Sequence, residues 1–246
     1  MCGSILRKRL VILGSGILGS ELAHQTTWDS LSRKINAFDL TDTSSFSMLL
    51  DTCEGAMQKA KYDVVINCIA NTDTYSKDKQ SHWDVNYKGV ADLVDFCNKW
   101  GIKLVHISSD YVYTNSIENA GENDIPIHGN NWYSYTKLLA DSYIQLKSNN
   151  YLICRGTHKP TPFPYNKAWT DQIGNFDYVD TISNIIIQLI KNNSSGIFNV
   201  GTKTKSIFDL ASKTSKVEPA QHPTEIPDNT TMNLNKLNNE IKGIIK

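Results

Sequence analysis

The chain has 246 residues, 40% hydrophobic and 20% charged, globular proportions that exclude a disordered chain, a collagen-like repeat or a disulfide scaffold. Lys+Arg and Asp+Glu each number 25, so the formal net charge is zero and charge favours neither nucleic acid nor a membrane surface as partner. A small molecule is the expected partner, and one α/β domain with an appendage is the expected size class.

The first ten residues are basic without the apolar run of an export signal, and no apolar stretch approaches the ~18 residues of a membrane span. Cys2, Cys53, Cys68, Cys97 and Cys154 are odd in number and scattered, which reads as reduced thiols in a cytoplasmic protein with no metal site. Arg9 to Leu13 is a short apolar run entering a glycine cluster, and Ile17, Leu18, Leu22 and Ala23 follow at helical spacing, giving strand, turn and helix. Further buried strands are predicted at Tyr62 to Ile69, Ile102 to Ser108, Tyr151 to Arg155 and Ile197 to Val200. Amphipathic stretches from His82 to Trp100, Tyr133 to Lys147 and Asp180 to Asn192 lie between them as crossover helices, so the alternation predicts a Rossmann-type doubly wound parallel sheet. The long loop from Tyr113 to Trp132 and the Pro-rich segment from Gly156 to Asn175 are read as functional and substrate-side loops, and two short helices are expected after Thr204. Residues 1–155 then form the dinucleotide-binding domain, and residues 156–246 a small substrate-side lobe interleaved with its last strands and helices.

Gly14-Ser-Gly16-Ile-Leu-Gly19 stands where a dinucleotide-binding turn stands, after the first strand and at the start of the first helix. Gly14 makes the tight turn, Gly16 admits the pyrophosphate and Gly19 lets helix and strand pack closely, with Ile17 and Leu18 in the first helical turn whose positive end faces the phosphates. The bland alternative is a purely structural turn. Asp39 follows at the spacing of an acidic residue that meets the adenosine ribose. Tyr133 and Lys137 are four residues apart on one helix face, so a cation beside the phenol is expected to lower its pKa and make Tyr133 a usable proton donor. A surface Tyr packed on a Lys stem is the alternative. Ser109 ends the strand from Ile102, where ligands bind in open parallel sheets, and either positions a carbonyl or only caps a turn.

Together these motifs resemble the extended short-chain dehydrogenase/reductases, in particular the dTDP-4-dehydrorhamnose reductases and related nucleotide-sugar 4-ketoreductases. Phe38-Asp-Leu-Thr-Asp42, Asp63 to Thr72, His106-Ile-Ser-Ser-Asp-Tyr-Val-Tyr113, Tyr133 with Lys137, Phe176 to Asp180 and Gly196 to Gly201 each resemble a family landmark. The resemblance implies reduction of a 4-keto-6-deoxy nucleotide sugar, with NADP(H) favoured over NAD(H) as cofactor. It implies Tyr133 as proton donor, Ser109 as the residue that positions the oxygen, and Lys137 as the group that tunes Tyr133 and holds the nicotinamide ribose. Asp39 and Leu40 would lie near the adenine, Ile69, Ala70 and Thr72 along the cofactor, and Asp110 and Tyr111 against the sugar. A homodimer is compatible with the family.

The sequence departs from the family in a glycine turn one residue tighter, a short Ala23 to Phe38 stretch, and a short Arg155 to Phe176 stretch. The first of the short stretches suggests a second strand cut down or merged with the third; Arg33 or Lys34 is available to meet a 2′-phosphate, and the alternative is that both are solvated surface charges. Asp110 stands where related epimerase-reductases carry Cys, which favours ketoreduction without epimerisation. Two other functions stay open at this point: a non-catalytic reductase-like regulatory subunit, and an NAD-retaining nucleotide-sugar epimerase or dehydratase.

Overall fold

The computed structural model describes residues 8–51 and 58–241; Cys2, Cys53 and the first seven residues lie outside them. β1 (Leu10–Leu13), β2 (Asp29–Leu31), β3 (Val64–Asn67), β4 (Lys103–Ile107), β5 (Tyr151–Arg155) and β6 (Gly196–Asn199) form one sheet in the order β6-β5-β4-β3-β1-β2. Every pairing in it is parallel. The chain leaves β2 at one edge and re-enters at β3 on the far side of β1. The β1/β3 boundary is therefore the switch point, where ligands of such sheets bind.

Alternation along the strands explains the three layers. Ile12, Val64, Ile66 and Val105 face α1 (Ile17–Gln25) and the helix Val179–Lys191, whereas Val11, Leu13, Val65, Leu104 and Ile153 face the helices Gly89–Trp100 and Trp132–Lys147. We call these three helices α4, α2 and α3 respectively, in chain order. Strands buried on both faces are continuously apolar, as the sequence shows. The short Ala23 to Phe38 stretch is resolved as a separate, three-residue β2, unmerged. Beyond it the 3₁₀ turn Thr43–Leu49 packs Phe46 and Leu49 on the core, so among the described residues no strand lies outside β2.

Residues 156–178 and 200–232 gather at one end of the sheet. There Lys167–Trp169 pairs with Glu218–Ala220, and Ile173–Gly174 lies between Lys205–Ser206 and Asn229–Thr230. A second apolar cluster of Phe163, Phe176, Tyr178, Ile207 and Leu210 holds this region together. The segment after Gly156, read as irregular, is therefore built of short strand pairs. The expected two short helices are Ile207–Ala211 and Asn235–Glu240. Among the described residues no helix is long and apolar enough to cross a membrane.

Candidate active site

The glycine turn closes on β2, with Gly14 N–H donating to Leu31 O at 2.8 Å. Gly14 has φ +103°, a conformation that side-chain-bearing residues avoid. A Cβ on Gly16 would meet nothing within 4 Å, so the backbone there is open to whatever lies over the N-terminus of α1. The groove at this point has a volume of about 530 Å³ and is lined by Gly14, Ser15, Gly16, Phe38, Leu40, Ile69 and Ala70, with Ser32, Arg33 and Lys34 at its β2 end. Helix-terminal amides with a cation cluster at the far end suit a phosphate-bearing dinucleotide. The residues thus fit a nicotinamide dinucleotide.

Of the residues expected at this groove, Ile17, Leu18, Gly19, Asp39 and Thr72 are not part of its lining, and the Ile17 side chain is exposed. The Leu18 side chain is 4% exposed in the core beside Leu22, so only its backbone faces the turn. Thr72 is exposed and does not line the groove. Asp39 is near it but engaged: Arg33 donates to both of its carboxylate oxygens, at 2.8 and 2.7 Å, and the Thr41 amide and hydroxyl donate at 2.9 and 2.8 Å. The Arg33 bonds, with those of Thr41, hold the Asp39 carboxyl down at about 2.

At the carboxyl end of β4, Ser109 caps the 3₁₀ turn Asp110–Tyr113 by accepting from Tyr111 N–H at 3.2 Å. Its hydroxyl also reaches Asp110 Oδ1 at 3.2 Å. Asp110 is 1% exposed and accepts from Thr157 Oγ1 at 2.5 Å, so its carboxylate is committed to the wall of the site instead of an open sugar pocket. Burial pushes its pKa up. Tyr111 is half-buried, and its ring meets that of Tyr133 edge to face at 6.0 Å and 78°.

α3 begins where Asn131 caps Ser134 N–H and Ser134 Oγ donates to Gly129 O, which fixes its first turn. Tyr133 lies in that turn. Its phenol is pushed up to about 12 by burial, and hydrogen bonding with Ser109 is what opposes the rise. Tyr111 links the two, since Ser109 accepts from its N–H and its ring meets that of Tyr133. Lys137 does not join them. It is 1% exposed, donates from Nζ to Ile107 O at 2.6 Å and faces His106 Nε2 at 3.1 Å. The expected lowering of the Tyr133 pKa by a neighbouring cation is therefore absent from this arrangement, because strand β4 offers the Lys137 head group nearer partners. Burial brings Lys137 itself down to about 8.

Three buried polar residues beside the site were not singled out from the sequence: Asn67, Asn86 and His106. Asn86 accepts from Asn71 N–H at 2.8 Å and donates to Asn71 O at 2.9 Å and to Thr136 Oγ1 at 3.3 Å, joining the loop after β3 to α3. Asn67 and His106, partners across β3 and β4, are both fully buried. A polar residue inside an otherwise apolar strand was the available signal. A second cavity of about 670 Å³ is lined by Tyr75, Lys77, Thr114, Trp132 and Glu225 among others, and Trp132 opens the helix that carries Tyr133.

A doubly wound parallel sheet with a glycine turn at its switch point, Ser109 just past the end of β4, and Tyr133 with Lys137 in the first turns of α3 is the arrangement of an extended short-chain dehydrogenase/reductase. Within that class the chain belongs to the RmlD substrate binding domain family, which residues 8–158 match. It is 26% identical over 223 residues, 85% of this chain and 68% of the relative, to the probable low-salt glycan biosynthesis reductase Agl14 of Haloferax volcanii. It is 33% identical over 112 residues to the dTDP-4-dehydrorhamnose reductase of Mycobacterium tuberculosis, a match that spans 43% of this chain and 34% of that enzyme. The structure of dTDP-4-dehydrorhamnose reductase from Bacillus anthracis in complex with NADP superposes with a TM-score of 0.77 at 22% identity, covering 94% of this chain and 92% of that one.

Proposed function

We propose that this protein reduces the keto group of a 4-keto-6-deoxy nucleotide sugar with a nicotinamide cofactor, NADPH in preference to NADH. The observation that carries the proposal is the cluster of Ser109, Tyr111 and Tyr133 at the carboxyl end of β4, where Ser109 accepts from Tyr111 N–H at 3.2 Å and the Tyr111 ring meets that of Tyr133 at 6.0 Å. When bound, the cofactor supplies hydride. The chain supplies the rest. Gly14, Gly16 and the first turn of α1 hold the pyrophosphate, and Ile69 and Ala70 wall the groove. Ser109 orients the carbonyl oxygen, and Tyr133 gives that oxygen its proton, the Lys137 ammonium, once brought beside the phenol, opposing the rise that burial imposes on its pKa. Lys137 reaches the ribose and the phenol by leaving Ile107 O.

Arg33 and Lys34 at the β2 end of the groove support the NADPH reading, since cations there suit a 2′-phosphate. Asp110, bound to Thr157, is not placed to move protons at a neighbouring sugar carbon, which supports reduction without epimerisation. The free thiols Cys68, Cys97 and Cys154 accord with a cytoplasmic enzyme.

The test is oxidation of NADPH and of NADH, followed optically, with a dTDP-linked 4-keto-6-deoxyhexose and with its UDP counterpart. Turnover that is lost in Tyr133→Phe establishes the activity. No oxidation with either sugar and either cofactor, in a protein that still binds the cofactor, returns the chain to the regulatory-subunit reading.

A further inference from the structure

Hydrogen-bond directions around His106 determine more than its position. His106 pairs with Asn67 across β3 and β4, and its ring is fully buried between Asn67 and Lys137. Asn67 Oδ1 accepts from Ile69 N–H at 3.1 Å, which fixes the amide so that Nδ2, a donor, faces His106 Nδ1 at 3.3 Å. Turning the amide over would set its NH₂ against the Ile69 N–H. Burial keeps the imidazole well below its ordinary pKa, so the ring is neutral and carries one N–H. If Nδ1 accepts from Asn67, that single hydrogen is on Nε2, and Nε2 faces Lys137 Nζ at 3.1 Å.

An ammonium has three donors and no acceptor. A neutral amine has two donors and one lone pair, which matches donation to Ile107 O and acceptance from His106 Nε2–H. We propose that His106 is a positioning residue for Lys137, presenting its Nε2–H so that the lysine rests on Ile107 O as the neutral amine and is released toward Tyr133 when it takes up a proton. Position and charge of Lys137 are thereby linked. Burial already lowers Lys137 to about 8, and a donor aimed at Nζ acts in the same direction. The other groups facing Lys137 are Asp141 one turn further along α3, which favours the ammonium, and the Cys68 thiol at the end of β3, which burial keeps protonated and uncharged. Tyr133 lies one turn before it.

The tautomer is measurable in the full chain without cofactor. Long-range ¹H–¹⁵N spectra, with the His106 signals assigned as those lost in His106→Gln, should show a bare Nδ1 and a protonated Nε2 between about pH 6 and pH 9. A protonated Nδ1 would overturn the proposal, because Nε2 would then be an acceptor for an ammonium. The second measurement rests on the reductase reading. In His106→Gln the amide can turn its oxygen to Nζ and favour the ammonium. The alkaline limb of kcat/KM for reduction, which reports loss of the Lys137 charge, should move up by about one pH unit or more. A profile that superposes on the parent, in a variant with unchanged unfolding midpoint, would remove the positioning role. The spectral result stands whether or not the chain turns over a nucleotide sugar, so failure of this inference and failure of the reductase reading are told apart.

Discussion

Gly19 packs directly on the Gly14 carbonyl: a Cβ there would lie 2.1 Å from Gly14 O. Gly16, between them, has φ −72° and ψ −173°, ordinary extended backbone, and open space where its Cβ would be. Two glycines of one motif therefore do different work. Gly19→Ala should destabilise the fold by about 1–3 kcal/mol, the usual cost of overpacking, visible as a lower urea midpoint. Gly16→Val should change the stability by no more than about 1 kcal/mol yet abolish dinucleotide binding in calorimetry, since its side chain occupies the phosphate's space. Unchanged dinucleotide affinity in Gly16→Val would make the turn merely structural.

Tyr133→Phe keeps the ring, its edge-to-face contact with Tyr111 and the burial, and removes only the hydroxyl that meets Ser109. Turnover should fall by about 10²- to 10⁴-fold, the range for a positioned general acid, while cofactor affinity stays within a factor of about two. Ser109→Ala disturbs more. It takes away the cap on Tyr111 N–H as well as the partner of Tyr133, so KM as well as kcat should suffer. Equal rates in Tyr133→Phe and the parent would sink the proton-donor assignment.

The bidentate Arg33 to Asp39 pair bears on cofactor choice. Asp39 takes up the guanidinium that a 2′-phosphate would otherwise recruit, and Arg33 is 63% exposed in its side chain, so the exchange costs little. Arg33→Ala should weaken NADPH binding about 10- to 100-fold, the worth of a charge-assisted bond to phosphate, and leave NADH binding almost unchanged. Asp39→Asn should improve NADPH binding by freeing Arg33. Fluorescence titration with both cofactors decides it, and an unaltered NADPH to NADH ratio in Arg33→Ala would place the 2′-phosphate elsewhere.

The sheet was legible in the sequence because strands buried on both faces leave continuous apolar runs, and each of the five read that way became a strand within a few residues. β2 was harder. Asp29-Ser-Leu31 is three residues long and half exposed at the sheet edge, so it carries almost no hydrophobic pattern. The residues Ser109, Tyr133 and Lys137 were legible as types at the right topological places, but the direction of the Lys137 head group was not. It is set by a backbone carbonyl and a histidine on β4, and helix periodicity says which face Lys137 occupies without saying which acceptor on that face it chooses. Asp110 is a similar case. Thr157, from a segment 47 residues further along the chain, decides that its carboxylate faces inward. The lobe after residue 156 was least legible, because two- and three-residue strand pairs fall below the length at which alternation can be seen.

Acid stability offers the final test. His158 is held down at about 4 by burial and then by the Lys159 charge, and burial with the Lys137 charge holds His106 well below its ordinary value. Both are bases whose folded pKa lies below the unfolded value near ~6.5. As pH falls through that value the unfolded chain takes up two protons that the native state refuses. Stability should therefore be lost between about pH 6.5 and pH 4, with a slope approaching ~2.7 kcal/mol per pH unit in the middle of the window. Asp110, with its pKa raised, works in the opposite sense, and Asp39, held at about 2, adds to the loss only below about pH 4. Urea midpoints measured every half pH unit should show this slope. His158→Gln, which keeps a polar side chain and cannot take a proton, should halve it. A slope equal in the parent and in His158→Gln would mean that His158 is charged in the native state, with its ring in contact with water.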